Sequence, residues 1–143
     1  MSKSSRFAVA VHILTLLARE GDTFVSSESI AHSVNTNAVI IRRILGRLRK
    51  AGLVRVQEGS SGGSTLAREA GQISLLDVHR AVEDADLFAL HPNRPNQNCT
   101  VGRGIIGALE TVMDDAQARM EQAFAEVSIA DMLETVAAQA NGA

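Results

Sequence analysis

The residue types in this chain that can support redox chemistry or metal binding are one cysteine, four histidines and the acidic side chains. Cys99 lies in a polar stretch, HPNRPNQNCTVG, just before a long predicted helix, where free N–H groups and the helix dipole favour an anion. A reactive thiolate there would form a sulfenic acid or a mixed disulfide. An inert residue at a helix start is the alternative, because free cysteines are among the most buried residues. Cys99 is therefore the candidate sensing residue, with both interpretations open.

Metal binding and catalysis find little support in the spacing of these residues. His12, His32 and His79 fall on separate predicted helices, with no second ligand at metal spacing. An iron–sulfur cluster is typically held by four thiolates, and Cys99 with His91 cannot supply that set. The sequence also has no phosphate-binding loop and no paired catalytic carboxylates. We therefore expect no metal, no cofactor and no enzymatic activity.

Positive charge is concentrated in the first half of the chain. Residues 1–68 carry ten Lys and Arg against four Asp and Glu, a net charge of +6. Residues 69–143 carry four against twelve, a net charge of −8. A basic half is typical of a surface that meets a polyanion. The alternative is an uneven scatter of solvated charge, and the total of −2 by itself argues against nucleic-acid binding.

The predicted elements follow the order of a winged helix-turn-helix. Apolar periodicity, capping residues and the stop at Gly52 predict three helices, over residues 4–19, 27–33 and 37–51. The stretches LVRV and TLA, joined by the turn-rich EGSSGGS, then predict a β-hairpin, the wing. Further helices are predicted over residues 73–83, 101–127 and 129–139, with Ser74 and Ser128 as caps. The expected fold is mainly α with a small β-wing.

The third predicted helix has an aliphatic face and a cationic face. At 100° per residue, one face carries Ile40, Ile41, Ile44, Leu45, Leu48 and Ala51. The other carries Val39, Arg42, Arg43, Gly46, Arg49 and Lys50. A recognition helix needs this arrangement, because its apolar face packs on the rest of the domain while its opposite face presents hydrogen-bond donors to DNA. The alternative is an ordinary solvated helix face.

The position of each cation along this helix indicates what it would contact. Because the helix N-terminus normally points at base edges, we expect Asn37, Arg42 and Arg43 to read bases. Arg49 and Lys50, farther along, are expected to touch phosphates. In the wing, glycines allow close backbone approach to DNA and serines donate to phosphates, unless the tip is only solvent-exposed. The predicted DNA-binding set is Ser27, Asn37, Val39, Arg42, Arg43, Arg49, Lys50, Arg55, Ser60, Ser61, Gly62 and Gly63.

The long helix over residues 101–127 carries the heptad pattern of a coiled-coil-like contact. Its dimer seam consists of Ile106, Leu109, Met113, Ala116, Met120, Ala123 and Val127. A helix of this length spans about 40 Å, more than the ~30 Å of a small domain, so we expect it to contact a second copy of the chain. A helix packed wholly within one subunit is the alternative. A twofold dimer would place two recognition helices about 34–36 Å apart, one turn of DNA.

Several local motifs resemble the Rrf2 family of bacterial transcription regulators. They are the AGLV at 51–54, the glycine pair at 62–63, the LAR at 66–68, the ISLLDV at 73–78 and Glu83. The resemblance covers nearly the whole chain and implies a homodimer, an operator with two half-sites and a sensing loop before the long helix. Ser64 stands where the family commonly has Tyr. Many members hold an iron–sulfur cluster through three cysteines in that loop, a motif that this chain lacks.

These observations define the expected organisation. A DNA-binding domain over residues 1–84 is followed by a sensing or linker loop over 85–100 and by the dimerisation and terminal helices over 101–143. We expect a homodimeric, sequence-specific regulator of double-stranded DNA in the cytoplasm, responding to redox state or to an unidentified small molecule through residues 86–100. Repression is expected, because the chain is too small for an obvious activation surface. No apolar run is long enough to cross a membrane, and we expect the amphipathic N-terminus to form the first helix and not a signal peptide. The alternative function is a winged-helix adaptor that binds protein and not DNA.

Overall fold

The computed structural model describes residues 4–84 and 86–142. Three helices precede the wing: α1 (Arg6–Glu20), α2 (Ser27–Val34) and α3 (Ala38–Lys50). The wing is an antiparallel pair of strands, β1 (Val54–Gln57) and β2 (Gly63–Leu66). The register pairs Val54 with Leu66 and Gln57 with Gly63, which leaves residues 58–62 as the wing tip. This order confirms the predicted winged helix-turn-helix.

The regular elements that follow the wing are all helical. A short 3-10 turn, Ala70–Gln72, leads into α4 (Leu75–Val82), α5 (Thr100–Ala125) and α6 (Ile129–Asn141). The 26 residues of α5 span about 39 Å at 1.5 Å per residue. Within the part of the chain that the structure describes, no helix has the length and apolar character needed to cross a bilayer.

Short polar residues start four of these helices. Asn37 Oδ1 accepts from the Ile40 amide at 3.0 Å, and Ser26 Oγ accepts from the Ser29 amide at 3.1 Å. Both α4 and α6 begin with a capping box, in which a serine and an aspartate exchange side-chain to backbone hydrogen bonds: Ser74 with Asp77, and Ser128 with Asp131. The predicted caps Ser74 and Ser128 are therefore confirmed. They satisfy amide groups that have no partner within the helix.

One aliphatic core joins the winged domain to the last helix. Its fully buried side chains include Ile13, Leu14, Leu17, Ile30, Ile41, Leu48, Ile73, Val78 and Ile129. Ile129 reaches this core because the chain returns after α5. The amide of Leu75 donates to the Val127 carbonyl at 2.8 Å, and the amide of Ile129 donates to the Ile73 carbonyl at 2.9 Å. As a result α6 packs against α1 and does not extend the line of α5.

The buried stripe of α3 is narrower than the sequence pattern indicated. Ile41, Ile44, Leu45 and Leu48 are buried, whereas Ile40 is 39% exposed. At 100° per residue Ile40 lies about 90° from the centre of the buried stripe, which places it at the edge of the interface. The core therefore anchors α3 through residues 41–48.

The glycine pair of the wing is required by contacts inside the protein. A Cβ on Gly62 would overlap the carbonyl of Gln57, and a Cβ on Gly63 would overlap the backbone of Val25. The backbones of Val25 and Ser64 exchange two hydrogen bonds, at 2.9 and 2.8 Å. Residue 25 thus adds a one-residue bridge to β2 and ties the wing to the segment between α1 and α2.

Candidate nucleic-acid interface

The outer surface of α3 presents four of its five cations. Arg42, Arg43, Arg49 and Lys50 are exposed on the side of the helix that faces away from the buried aliphatic stripe. The fifth cation, Arg47, turns back and donates from Nη1 to the Val82 carbonyl at 3.2 Å. That bond satisfies a free carbonyl at the end of α4, so Arg47 has a structural role. The sequence-based assignment of the exposed face included the four outward cations and left out Arg47.

A groove runs between α3 and the wing, with a volume of about 520 Å³. We call it the α3–wing groove. Its lining comes from the start of α2, from α3 and from the wing: Ser26, Ser27, Glu28, Arg42, Leu45, Gly46, Arg49, Val56, Gln57, Glu58, Gly59, Ser60, Gly62, Gly63 and Ser64. The structure therefore brings together six members of the predicted set: Ser27, Arg42, Arg49, Ser60, Gly62 and Gly63.

The cations of α3 form two rows. Arg42 and Arg49 are seven residues apart, nearly two full turns, and both line the α3–wing groove. Arg43 and Lys50 have the same spacing and lie 100° farther round, on the outer edge of the helix. Val39 lies on that outer edge and is 54% exposed. A polyanion that lay along α3 would meet both rows.

Three predicted residues are placed elsewhere. Asn37 is the N-cap of α3, so its Oδ1 is engaged with the Ile40 amide and its side-chain NH₂ remains as a donor. Ser61 lies on the far side of the wing tip, against the segment between α1 and α2. Arg55 projects from the face of β1 opposite to that of Val56, because successive strand residues alternate, and it lines a separate cleft that Asp22 also lines.

Sequence reasoning missed two carboxylates in the groove. Glu28 Oε1 accepts a hydrogen bond from Arg42 Nη2 at 2.6 Å, an ion pair that joins α2 to α3. Glu58 lines the groove from the wing. The only sequence signal for either was its position: Glu28 directly follows Ser27, and Glu58 is the first residue of the wing tip.

The predicted dimer seam is only partly covered in a single chain. None of the α5 residues is buried, and Val101 and Val112 are 68% and 66% exposed. The seam residues are half-buried, except for Ala123, which is exposed. The C-terminal half of α5 does reach its own winged domain, through the Phe124 ring and an ion pair from Glu121 to Arg80 at 3.6 Å. The seam therefore lies beside the face that α5 turns toward its own domain.

Cys99 is the exposed N-cap of α5, and its side chain makes no cap hydrogen bond. Arg103 Nη1 donates to the Gln97 carbonyl at 3.1 Å, so a guanidinium holds the preceding loop against the helix. No three His, Cys, Asp or Glu side chains come together as a metal site in residues 4–84 and 86–142. A single thiol with no such group nearby does not fit an iron–sulfur cluster.

Comparisons with known proteins agree with this architecture. The Rrf2 family, described as "Iron-dependent Transcriptional regulator", matches residues 3–135. YwnA of Bacillus subtilis, described as an HTH-type transcriptional regulator, is 44% identical over 131 residues, which cover 91% of this chain and 96% of that one.

Solved structures give the same result. One described as a DNA-binding protein is 37% identical, with a TM-score of 0.70 over 90% of this chain and 99% of that one. T. potens IscR is 26% identical, with a TM-score of 0.71, and the match covers 95% of this chain and 88% of that one. The relatives in this family are regulators and not enzymes. The winged helix-turn-helix, the glycine pair of the wing and these matches together show that the chain belongs to the Rrf2 family of transcriptional regulators.

Proposed function

We propose that the chain binds a specific operator in double-stranded DNA through α3 and the wing. The observation that carries this proposal is the pair of exposed cationic rows on α3, Arg42 with Arg49 and Arg43 with Lys50, which stand beside the α3–wing groove. An α-helix fits the major groove, where Arg can bind guanine through O6 and N7. Lys and Arg farther along the helix neutralise phosphates.

Fluorescence anisotropy on DNA from upstream of the chain's own gene tests DNA binding. A binder that neutralises several phosphates loses affinity steeply between about 50 and 200 mM salt. The variant Arg43→Ala is expected to lose about 1–3 kcal/mol of specific binding if this side chain holds a base. Arg119→Ala is the matched control, because Arg119 is an exposed cation on α5 that pairs with Asp115 at 2.9 Å. An adaptor would show no operator affinity at any salt concentration, and that result would overturn the proposal.

We propose that two chains pair through the dimer seam of α5. The support is that every residue of the seam keeps part of its surface exposed in a single chain, and that Val112, on the flank of the seam, is 66% exposed. Burial of this seam against a second copy removes apolar surface from water. Light scattering should give about twice the chain mass of 15.2 kDa. Val112→Glu should return the mass to that of one chain, whereas Thr111→Glu, one residue away on another face of α5, should leave the dimer intact.

We propose repression as the regulatory outcome and residues 86–100 as the place where a signal acts. An exposed thiol at the start of α5 supports a redox signal. A cleft between residues 86–90 and α5, next to Met113, supports a small ligand instead. Operator binding that is lost on mild oxidation, and kept in Cys99→Ser, would assign the signal to the thiol. Equal operator binding by reduced and oxidised wild type and by Cys99→Ser would exclude the thiol and leave a small ligand in the cleft as the signal. A promoter fusion whose output falls when the gene for this chain is deleted would contradict repression.

The same proposal divides the chain by role. Residues 1–84 bind DNA, residues 85–100 link, and residues 101–143 dimerise and close the fold. The last helix, α6, also stabilises the DNA-binding domain, because Ile129 lies in the core of the winged domain.

A further inference from the structure

The α3–wing groove holds two carboxylates that differ in their contacts. Glu28 binds Arg42 through one short, charge-assisted hydrogen bond of 2.6 Å. Glu58, across the groove, has a carboxylate with no ion-pair partner among residues 4–84 and 86–142. Both would repel the phosphates of a DNA duplex. A carboxylate on a DNA-facing surface therefore weakens binding unless it contributes something else.

The ion pair of Glu28 contributes little to the stability of the fold. The side chains of Arg42 and Glu28 are 55% and 69% exposed. Exposed pairs of this kind typically contribute about 0–1 kcal/mol, since solvent and salt screen them. The role of the pair therefore lies in the geometry that it gives to Arg42.

The hydrogen bond to Glu28 uses one edge of the Arg42 guanidinium. Nη2 donates to Glu28, and within the described ranges Nη1 and Nε have no hydrogen-bond partner. A free arginine side chain carries roughly 2 kcal/mol of rotamer entropy, part of which is lost when it docks on a base. Holding the guanidinium in place before DNA arrives removes part of that loss. It also limits the directions in which the remaining donors point.

We propose that Glu28 is a positioning residue that makes Arg42 selective for one guanine. Glu28 holds the guanidinium at the mouth of the α3–wing groove, so that the edge that keeps two free N–H groups, one of them the second N–H of Nη2, meets O6 and N7 of a single G·C pair. The inference rests on the proposed function, because it requires that α3 enters the major groove of an operator.

The test begins with an operator selected from a pool of random duplexes with the full-length protein. Each G·C pair of a half-site is then changed to A·T, and affinities are measured by anisotropy for wild type and Arg42→Ala. The pair read by Arg42 is the one whose change weakens the wild type but not Arg42→Ala. Discrimination is the ratio of the two affinities at that pair, and about tenfold is expected for the wild type.

Two matched variants distinguish the positioning of Arg42 from the general repulsion between a carboxylate and the DNA phosphates. Glu28→Gln and Glu58→Gln each remove one negative charge from the same groove. Glu58→Gln should strengthen binding to the operator and to an unrelated duplex alike and leave discrimination unchanged. Glu28→Gln should strengthen binding to the unrelated duplex and lower discrimination several-fold. Glu28→Asp, which keeps a carboxylate, should restore part of it. In an Arg42→Ala background, Glu28→Gln should have no effect on discrimination.

The possible negative results distinguish a failure of the proposed DNA binding from a failure of the proposed role of Glu28. A selection that recovers no sequence overturns the proposed function together with this inference. An operator without any G·C pair read by Arg42, or a Glu28→Gln that behaves like Glu58→Gln, overturns the inference alone. A loss of discrimination that persists in the Arg42→Ala background would mean that Glu28 contacts a base itself, which also overturns positioning. Both carboxylates are exposed, so the variants are expected to melt like the wild type, and thermal unfolding checks this.

Discussion

The ring of Phe124, near the end of α5, stacks on the ring of Phe7 in α1, with centroids 5.0 Å apart and planes 20° from parallel. His79 of α4 packs against both rings, at 5.6 Å from Phe7 and 5.8 Å from Phe124. Three helices therefore meet at this aromatic cluster. This cluster joins the long helix to the domain that carries α3.

Removing the ring of Phe124 should loosen that contact. Large-to-small substitutions in a full core cost about 3–5 kcal/mol, and the side chain here is half-buried. We expect Phe124→Ala to lower the free energy of unfolding by about 2 kcal/mol, measured by urea denaturation at a fixed protein concentration. Phe124→Leu keeps most of the apolar volume and should lose less. A change below about 0.5 kcal/mol in Phe124→Ala would show that the cluster does not fasten α5.

A substitution at Gly46 should change the stability of α3 and its affinity for DNA in opposite directions. A Cβ added there meets no atom within 4 Å, and the residue lies in the α3–wing groove. Because glycine is about 1 kcal/mol less favourable than alanine inside a helix, Gly46→Ala should raise the free energy of unfolding by about that amount. Operator affinity should fall several-fold, since the added methyl lies where the α3 backbone approaches DNA. Gly104→Ala in α5, also with open space around it, should give the same stability gain with unchanged binding. Undiminished operator affinity in Gly46→Ala would count against close approach at this point.

Gly63 should be intolerant of any side chain. A methyl group there overlaps the Val25 backbone and must separate it from Ser64. Gly63→Ala is expected to cost roughly 1–3 kcal/mol, as for other overpacked sites, and to speed hydrogen exchange at the amides of Val25 and Ser64. The control is Gly71→Ala, because a Cβ at Gly71 meets nothing within 4 Å. Unchanged protection of both amides would mean that the wing does not depend on this bridge.

Glu83 should make stability depend on acid. Burial raises the pKa of its carboxyl, but hydrogen bonds from Ser4 and Arg6 and the charges of Arg6 and His79 outweigh burial, so the pKa is lowered from its ordinary 4.5. Because the folded-state pKa is lowered, the ionised carboxylate stabilises the folded protein at any pH above the ordinary pKa. This stabilisation is lost as the pH falls through the folded-state pKa and the carboxyl becomes protonated.

The Glu83→Gln variant measures this contribution. Its free energy of unfolding should be below that of the wild type at pH 6, and the difference should shrink as the pH falls below about 4.5. Urea denaturation across this pH range gives both curves. A difference that stays constant with pH would exclude Glu83 as a source of acid sensitivity.

Local signals in the sequence were sufficient for much of the fold and for part of the site. The capping residues Ser74 and Ser128 and the outward cations of α3 depend on spacings of three or four residues, which any helix imposes. The same locality explains why Gly52, with φ of 78°, could be placed at the end of α3.

Features that depend on distant segments had no such signal. The ion pair of Glu28 with Arg42 joins two helices across 14 positions, and its geometry follows from how α2 packs on α3. The bridge between Val25 and Ser64 likewise joins segments that only the folded domain brings together. The role of the wing glycines was predicted from DNA contact, whereas the structure shows a contact within the protein that requires them.

Footprinting of the full-length protein on DNA from upstream of its own gene is the sharpest test of operator binding by a dimer, since it reports sequence specificity and twofold pairing at once. We predict two protected half-sites in inverted orientation, with centres one helical turn of about 10–10.5 bp, or a multiple of it, apart. Protection should weaken steeply with salt, and Arg43→Ala should need a higher protein concentration for the same protection, by the factor that a loss of about 1–3 kcal/mol gives. Uniform cleavage at every protein and salt concentration, or a single half-site without its inverted mate, would contradict a dimeric operator-binding regulator.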